Sequence, residues 1–270
     1  FRANTFDISG WTGSIYLNGA GGRDSLVVEN DVDQMLLTNS NLPLLPAAIF
    51  RSLYGYLKNA SLSLSTGETY HLGSIEEGTL IGGPGDNVID ASGYSRTPVT
   101  FEGRGGDDTL VGSPRVDRFV FDADTPLGTD TVVGGGGRDT LDFSPTQQAV
   151  NVDLAVMAPS LQAVNGSLSL VLGDLIENVT GGDGNDTLAG NNLDNVLLGG
   201  PGNDTLIGRG GDETYAFDSD SLGETETIVE AVGGGNDTLD FSALPVSVDV
   251  NLAITGTQSV TPNLAIEVND

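Results

Sequence analysis

Residues 181–216 read GGDGNDTLA, GNNLDNVLL, GGPGNDTLI and GRGGDETYA, four nine-residue units without a break. Each unit opens on glycine, places an acid or amide sixth, and ends in a triplet whose middle residue is apolar or aromatic. One such unit cannot bury its own apolar face, so it must stack on its neighbours, and the repeat decides the architecture before any single residue is weighed. Two more units stand in tandem at 103–120, GRGGDDTLV and GSPRVDRFV, and separate ones at 19–27, 82–90, 134–142 and 232–240. Their eighth positions are Leu26, Ile89, Leu110, Phe119, Leu141, Leu188, Leu197, Leu206, Tyr215 and Leu239. Apolar residues alternating with polar ones give the strand period with one buried face.

A longer repeat carries the units along. Phe119–Ser144 recurs as Tyr215–Ser242, and Val150–Leu154 (VNVDL) recurs as Val248–Leu252 (VDVNL). The chain therefore divides into a partial module at 1–75 and two modules at 76–176 and 177–270, with no linker between them. The exception is Pro46–Lys58, PAAIFRSLYGYLK, whose apolar spacing and leading proline predict a short amphipathic helix covering part of the stack. Because the sequence starts at Phe1 without Met, it is expected to be a processed form or an excerpt.

Composition narrows the chemistry. Acidic side chains outnumber basic ones 38 to 10, a formal charge of −28, which argues against nucleic acid as a partner. There is no cysteine and one histidine, His71, so thiolate chemistry, Cys/His zinc sites and any pair of imidazoles are excluded. Neither HExxH nor GxSxG occurs, and no apolar run is long enough for membrane insertion by a helix. Asp exceeds Glu by 27 to 11, a bias towards residues that serve turns and hard metal ions.

The units themselves suit such an ion. Calcium takes oxygen ligands at about 2.3–2.6 Å and accepts backbone carbonyls as readily as carboxylates. Glycines let a loop bend its carbonyls towards one point, and the sixth residue adds a carboxylate. With GGDGNDTLA and GGPGNDTLI fitting every defined position, the sequence resembles the RTX family, whose GGxGxDxUx nonapeptide binds calcium. The resemblance implies an all-β fold, a right-handed parallel β-roll or β-solenoid in which two nonapeptides make one 18-residue turn and each Ca²⁺ sits between equivalent loops of successive turns. It places metal ligands at Asp24, Asp108, Asp117, Asp139, Asp186, Asp204 and Asp237. Weaker candidates are Asn87, Asn195 and Glu213, where the sixth residue departs from Asp, together with Asp107, Asp183, Asp194 and Asp212.

Two functional classes follow. The first is a calcium-dependent extracellular structural segment of a surface, adhesin-like or matrix protein, secreted or held at the bacterial cell surface. Its open ends would allow end-to-end self-association into a fibre. The alternative is an enzyme context: the non-catalytic, calcium-binding C-terminal region of a secreted protease or lipase, or a polysaccharide-active β-helix. The chain is expected to have no catalytic residues of its own.

Overall fold

The computed structural model describes residues 78–218, 224–231, 234–251 and 256–269 in full, and before them six strands between Thr5 and Gly73, together with Glu77, as backbone. The chain is all-β, and no helix occurs among the described residues. The helix expected at 46–58 and the candidate Asp24 lie outside them.

The last three positions of a nonapeptide form a strand, of three residues at Thr187–Ala189, Val196–Leu198, Thr205–Ile207 and Thr214–Ala216 and longer at Ser25–Glu29 and Val88–Gly93. Successive strands go to opposite sheets. Val196 pairs in parallel with Asn178 below and Thr214 above, while Thr187 pairs with Thr205 in the facing sheet. The register step is therefore 18 residues, two nonapeptides per turn. Among the described residues the strands form sheets of ten, nine and six, parallel throughout the first and with antiparallel pairs in the other two, at Gln34–Thr38 with Asn59–Leu64, at Asn59–Leu64 with Thr69–Gly73, and at the two outgrowths of the longer repeat. The result is a parallel β-roll.

The core is a narrow column because only the middle residue of each triplet points inwards. Ile89, Leu110, Phe119, Leu141, Leu188, Leu197, Leu206 and Tyr215 are all fully buried, and Leu239 is partly buried. Aromatic residues stack along the column where the chain turns out of a strand. Phe121 lies on Phe143 with ring centroids 5.4 Å apart, and Phe217 on Phe241 at 4.5 Å. The strand exits are closed by Asp side chains, with Asp142 Oδ1 accepting the Ser144 N–H and Asp240 Oδ1 accepting that of Ser242.

The longer repeat appears as the same outgrowth twice. Leu168–Leu172 adds in parallel to Gly128–Val133 and carries the short antiparallel strand Gln162–Ala163. Leu264–Asn269 adds to Glu224–Val229 and carries Gln258–Ser259 in the same way. No helix among the described residues is long and apolar enough to cross a membrane.

Glycine is required where loops of adjacent turns touch. Gly200 has φ +91°, and a Cβ there would lie 2.5 Å from the Gly182 carbonyl oxygen. Gly85 has nothing within 4 Å of that position. Gly200→Ala is expected to destabilise the folded chain by about 2–3 kcal/mol, from the backbone strain and the collision. Gly85→Ala is expected to be neutral or to stabilise by about 0.5 kcal/mol by restricting the unfolded chain. Thermal melts of both variants in calcium check the difference, and equal melts would contradict the stacking.

Candidate metal centre

The loop geometry follows from the position of the sixth residue. In residues 181–189, Asp186 folds its carboxylate back over the first glycine of its own unit: Oδ2 accepts the Gly182 N–H at 2.8 Å, and a Cβ on Gly181 would collide with that oxygen and with the Gly199 carbonyl of the next turn. Asp108 sits in the same way over Gly103, Asp204 over Gly199 and Asp139 over Gly134. Over Gly181 and Gly134 a carboxylate oxygen and a carbonyl from the following turn, of Gly199 and Leu175 respectively, thus converge on the space that only glycine leaves open.

The other carboxylate oxygen joins the turns. Asp204 Oδ1 accepts the Asp186 N–H at 2.7 Å, and Asp186 Oδ1 accepts that of Val150 at 2.8 Å. Asp130 receives Asp108, which receives Asn87, and on the facing side Glu177 receives Asp139, which receives Asp117, which receives Val99. Most sixth positions form ladders of buried side chains along the roll, Glu177 being half-buried.

Several oxygens in these ladders have no hydrogen-bond partner. Asp108 Oδ2, Asp130 Oδ2, Asp204 Oδ2 and both oxygens of Glu226 are buried and unsatisfied. A buried carboxylate without a partner is costly. Burial, reinforced by neighbouring carboxylates, pushes Asp130 and Asp139 up to about 8, Asp204 to about 7 and Glu226 to about 9. Burial likewise raises Asp108 and Asp117 to about 6 and shifts Asp186 upwards. Hard oxygen donors, open lone pairs and converging carbonyls suit a hard divalent cation.

Three members of the ladders escape the sequence pattern. Strand register sets Thr131 opposite Thr109, Asn178 opposite Thr140 and Thr227 opposite Thr205. Asp130, Glu177 and Glu226 are therefore the sixth positions of turns that have lost their glycine loop. The remaining signal is an acid followed by Thr or Asn and then an apolar residue.

The weaker candidates divide. Asn195 is buried, and its amide nitrogen donates to the Glu177 carbonyl at 2.7 Å, so it satisfies with its own N–H₂ an acceptor that would otherwise call for a cation. Asn195→Asp removes that donor and is expected to cost about 1–2 kcal/mol in chelator, read from a urea unfolding curve. Asn87 accepts the Gly83 N–H and is buried as well. Asp117 has its oxygens engaged by Val99 and by both N–H and Oγ of Ser113.

Asp107, Asp194 and Asp212 are fifth positions, exposed, and form an outer ladder. They accept the N–H groups of Thr129, Asp212 and Asn236 respectively. Asp183 is exposed, with its own N–H donated to the Thr146 carbonyl. Asp237 is exposed but comes together with Glu213 and Glu230, one carboxylate oxygen of each lying within 4.8 Å of the others.

A parallel roll whose turns meet at glycine loops topped by unsatisfied carboxylates defines a calcium-binding repeat region. The family model described as Peptidase M10 serralysin C terminal matches residues 101–262, and the chain belongs to that family. Among curated relatives, the metallopeptidase AprA of Pseudomonas marginalis is 36% identical over 102 residues, which is 37% of this chain and 20% of the relative. The metalloprotease AprA of Pseudomonas entomophila is 32% identical over 131 residues, 42% of this chain and 27% of the relative. The chain thus spans about a quarter or less of the lengths of these relatives.

Proposed function

We propose that this chain is the non-catalytic, calcium-folded C-terminal region of a secreted metalloprotease-type enzyme, acting as a rigid roll that forms once calcium reaches it. The observation that carries this reading is the family match over residues 101–262, which falls on the stretch whose loops present the unsatisfied carboxylates. It favours the enzyme-borne alternative over the adhesin-like segment that composition suggests on its own. Asp108, Asp130, Asp139, Asp186, Asp204 and Glu226 would supply the carboxylates, and loop carbonyls such as that of Gly199 the remaining oxygens. Asn87, Asn195 and Asp117 act as hydrogen-bonded turns.

The setting is extracellular, where calcium modules of about 10⁻⁴–10⁻³ M affinity are filled. The modules at 1–75, 76–176 and 177–270 would fold as one continuous stack. End-to-end self-association is not required by this reading.

Calorimetric titration of the calcium-free chain, with a casein assay in zinc and calcium, tests the proposal. Several calcium ions bound per chain and no proteolysis are expected. A chain that takes up no calcium, or that cleaves casein, would overturn it.

A further inference from the structure

Two side chains stand where the repeat calls for glycine. Among the described residues, Arg104 and Arg209 are the non-glycine residues with a left-handed backbone, at φ +72° and +81°. Both are second positions of units that open GRGGD, and the second positions Gly135 and Gly200 of two other units have φ +89° and +91°. A side chain in this conformation is strained and persists only where its surroundings hold it there.

The surroundings of the two arginines share a pattern. Strand register sets loop 82–87 one turn before loop 103–108, and loop 190–195 one turn before loop 208–213. Those two earlier loops are the nonapeptides with Asn in sixth position, Asn87 and Asn195. Where the sixth residue is Asp117 or Asp186, the second residue one turn on is Gly135 or Gly200. Neutral Asn thus goes with Arg, and charged Asp with glycine.

The junction between loops 190–195 and 208–213 shows what the guanidinium does. Arg209 Nη1 donates to the Gly190 carbonyl at 2.7 Å and to Asp153 Oδ1 at 2.6 Å, and Nη2 donates to Asp153 Oδ2 at 2.7 Å. One side chain therefore ties its own loop to the first glycine of the preceding turn and to the strand Asn151–Asp153. Amides close the rest of the loop. Asn195 Oδ1 accepts the Asn191 N–H at 2.7 Å, as Asp186 Oδ2 accepts that of Gly182 at 2.8 Å. The side-chain nitrogens of Asn191 and Asn195 donate to the carbonyls of Ile176 and Glu177 at 2.9 Å and 2.7 Å. Loop carbonyls here receive N–H donors, whereas Asp108 Oδ2 and Asp204 Oδ2 are buried without a partner.

We propose that Asn in sixth position and Arg in second position one turn on form a metal-free junction, in which the Arg209 guanidinium makes the cross-link that Ca²⁺ makes between loops carrying Asp. The formal charges agree, since Asp with Ca²⁺ and Asn with Arg both leave one net positive charge. A planar fork of fixed donors suits a carboxylate and a carbonyl at once. The same pair of residue types recurs at Asn87 and Arg104, where Arg104 Nε donates to Glu102 Oε1 at 3.0 Å. The inference rests on the calcium reading for the ion that the arginine replaces.

The test uses the full 270-residue chain in calcium. Bound calcium per chain is measured by elemental analysis after equilibrium dialysis, and stability by thermal melts followed by circular dichroism. The variants are Arg209→Gln, Arg209→Lys and the double variant Asn195→Asp/Arg209→Gly. Arg209→Gln is expected to keep the wild-type ion count and to melt about 4 °C or more lower, through loss of its charged hydrogen bonds. Arg209→Lys keeps the charge without the fork and is expected to recover part of that shift. The double variant restores Asp and glycine to the junction and is expected to bind one ion more than the wild type, a gain that a merely structural arginine would not produce.

Should that variant fail to fold, Asn87→Asp/Arg104→Gly makes the same exchange at the other junction, with the same gain of one ion expected. A folded double variant with the wild-type ion count, or Arg209→Gln melting as the wild type does, overturns the junction and leaves the loop sites standing. A wild type that binds no calcium overturns the calcium reading and, with it, the exchange of an arginine for an ion.

Discussion

Stripped of divalent ions with EDTA at pH 8, the chain will lose its β spectrum in one cooperative transition and regain it in millimolar calcium but not in millimolar magnesium. The argument is electrostatic first. A formal charge of −28 is folded into a roll whose ladders bring Asp108, Asp130, Asp186, Asp204 and Glu226 into contact along its interior. Each bound Ca²⁺ cancels two of those charges and joins two turns, so metal binding and folding are one process. A site held at about 10 times its dissociation constant adds about 1.4 kcal/mol, and about four such sites reach the lower end of typical domain stability.

Magnesium fails because it requires a tight octahedron and gives up its waters reluctantly, which a loop of carbonyls does not force. Sodium chloride at matched ionic strength is the control: it screens exposed charges but barely reaches buried ones. Far-UV circular dichroism with sedimentation velocity reads the transition. A β spectrum unchanged in chelator, on protein shown by elemental analysis to be metal-free, would mean that the loops close as turns without ions.

The sequence exposes the fold wherever the information is local. Each nonapeptide carries its own turn, its own three-residue strand and its own inward residue, so residues 181–216 imply the 18-residue step that Val196 and Thr214 then display. Glycine at the first position is equally legible, since Asp186 and Asp204 need the space above Gly181 and Gly199. What escapes is set by register across long outgrowths. Glu177 joins Asp139 only because Asn178 pairs with Thr140, 38 residues away, and Glu226 joins Asp204 through a strand with no glycine loop.

Ion pairs across two turns escape for the same reason. Arg209 meets Asp153 at 2.6 Å over a separation of 56 residues, and Arg138 meets Asp194 at 3.3 Å over the same span. The chemistry of Asn195 escapes for a different one: its residue type reads as a weakened ligand, whereas its amide donates to the Glu177 carbonyl and closes the loop without an ion. The biological setting is the least legible of all. Composition and repeats describe a material, and the same roll serves a surface fibre or the end of an enzyme.

The pH response should change sign with calcium. Without metal, the buried carboxylates hold their protons more tightly in the folded state than in the unfolded one: Asp130 and Asp139 titrate near 8 and Glu226 near 9, chiefly through burial and then through the neighbouring Asp108, Asp117 and Asp204 charges. Groups raised in this way stabilise the fold fully below the ordinary carboxylate range, and that stability is lost as pH rises through the folded values. In EDTA the chain is therefore expected to gain β structure as pH falls from about 9 towards 5, a range kept above the isoelectric point near 4.1.

With calcium bound the sign reverses. The ligands must be deprotonated, the ion holds their pKa values down, and stability present above the ordinary carboxylate range is lost as acid displaces the metal. Melting temperatures measured every half unit in EDTA and in about 5 mM calcium, a few times the weakest extracellular-module dissociation constant, should give two curves of opposite slope that approach each other near pH 5. Parallel curves would mean that the interior carboxylates are not the groups that couple calcium to folding. Asp130→Asn provides the residue-level check: by removing one raised carboxylate it should flatten the EDTA curve near pH 8 while lowering the melting temperature in calcium.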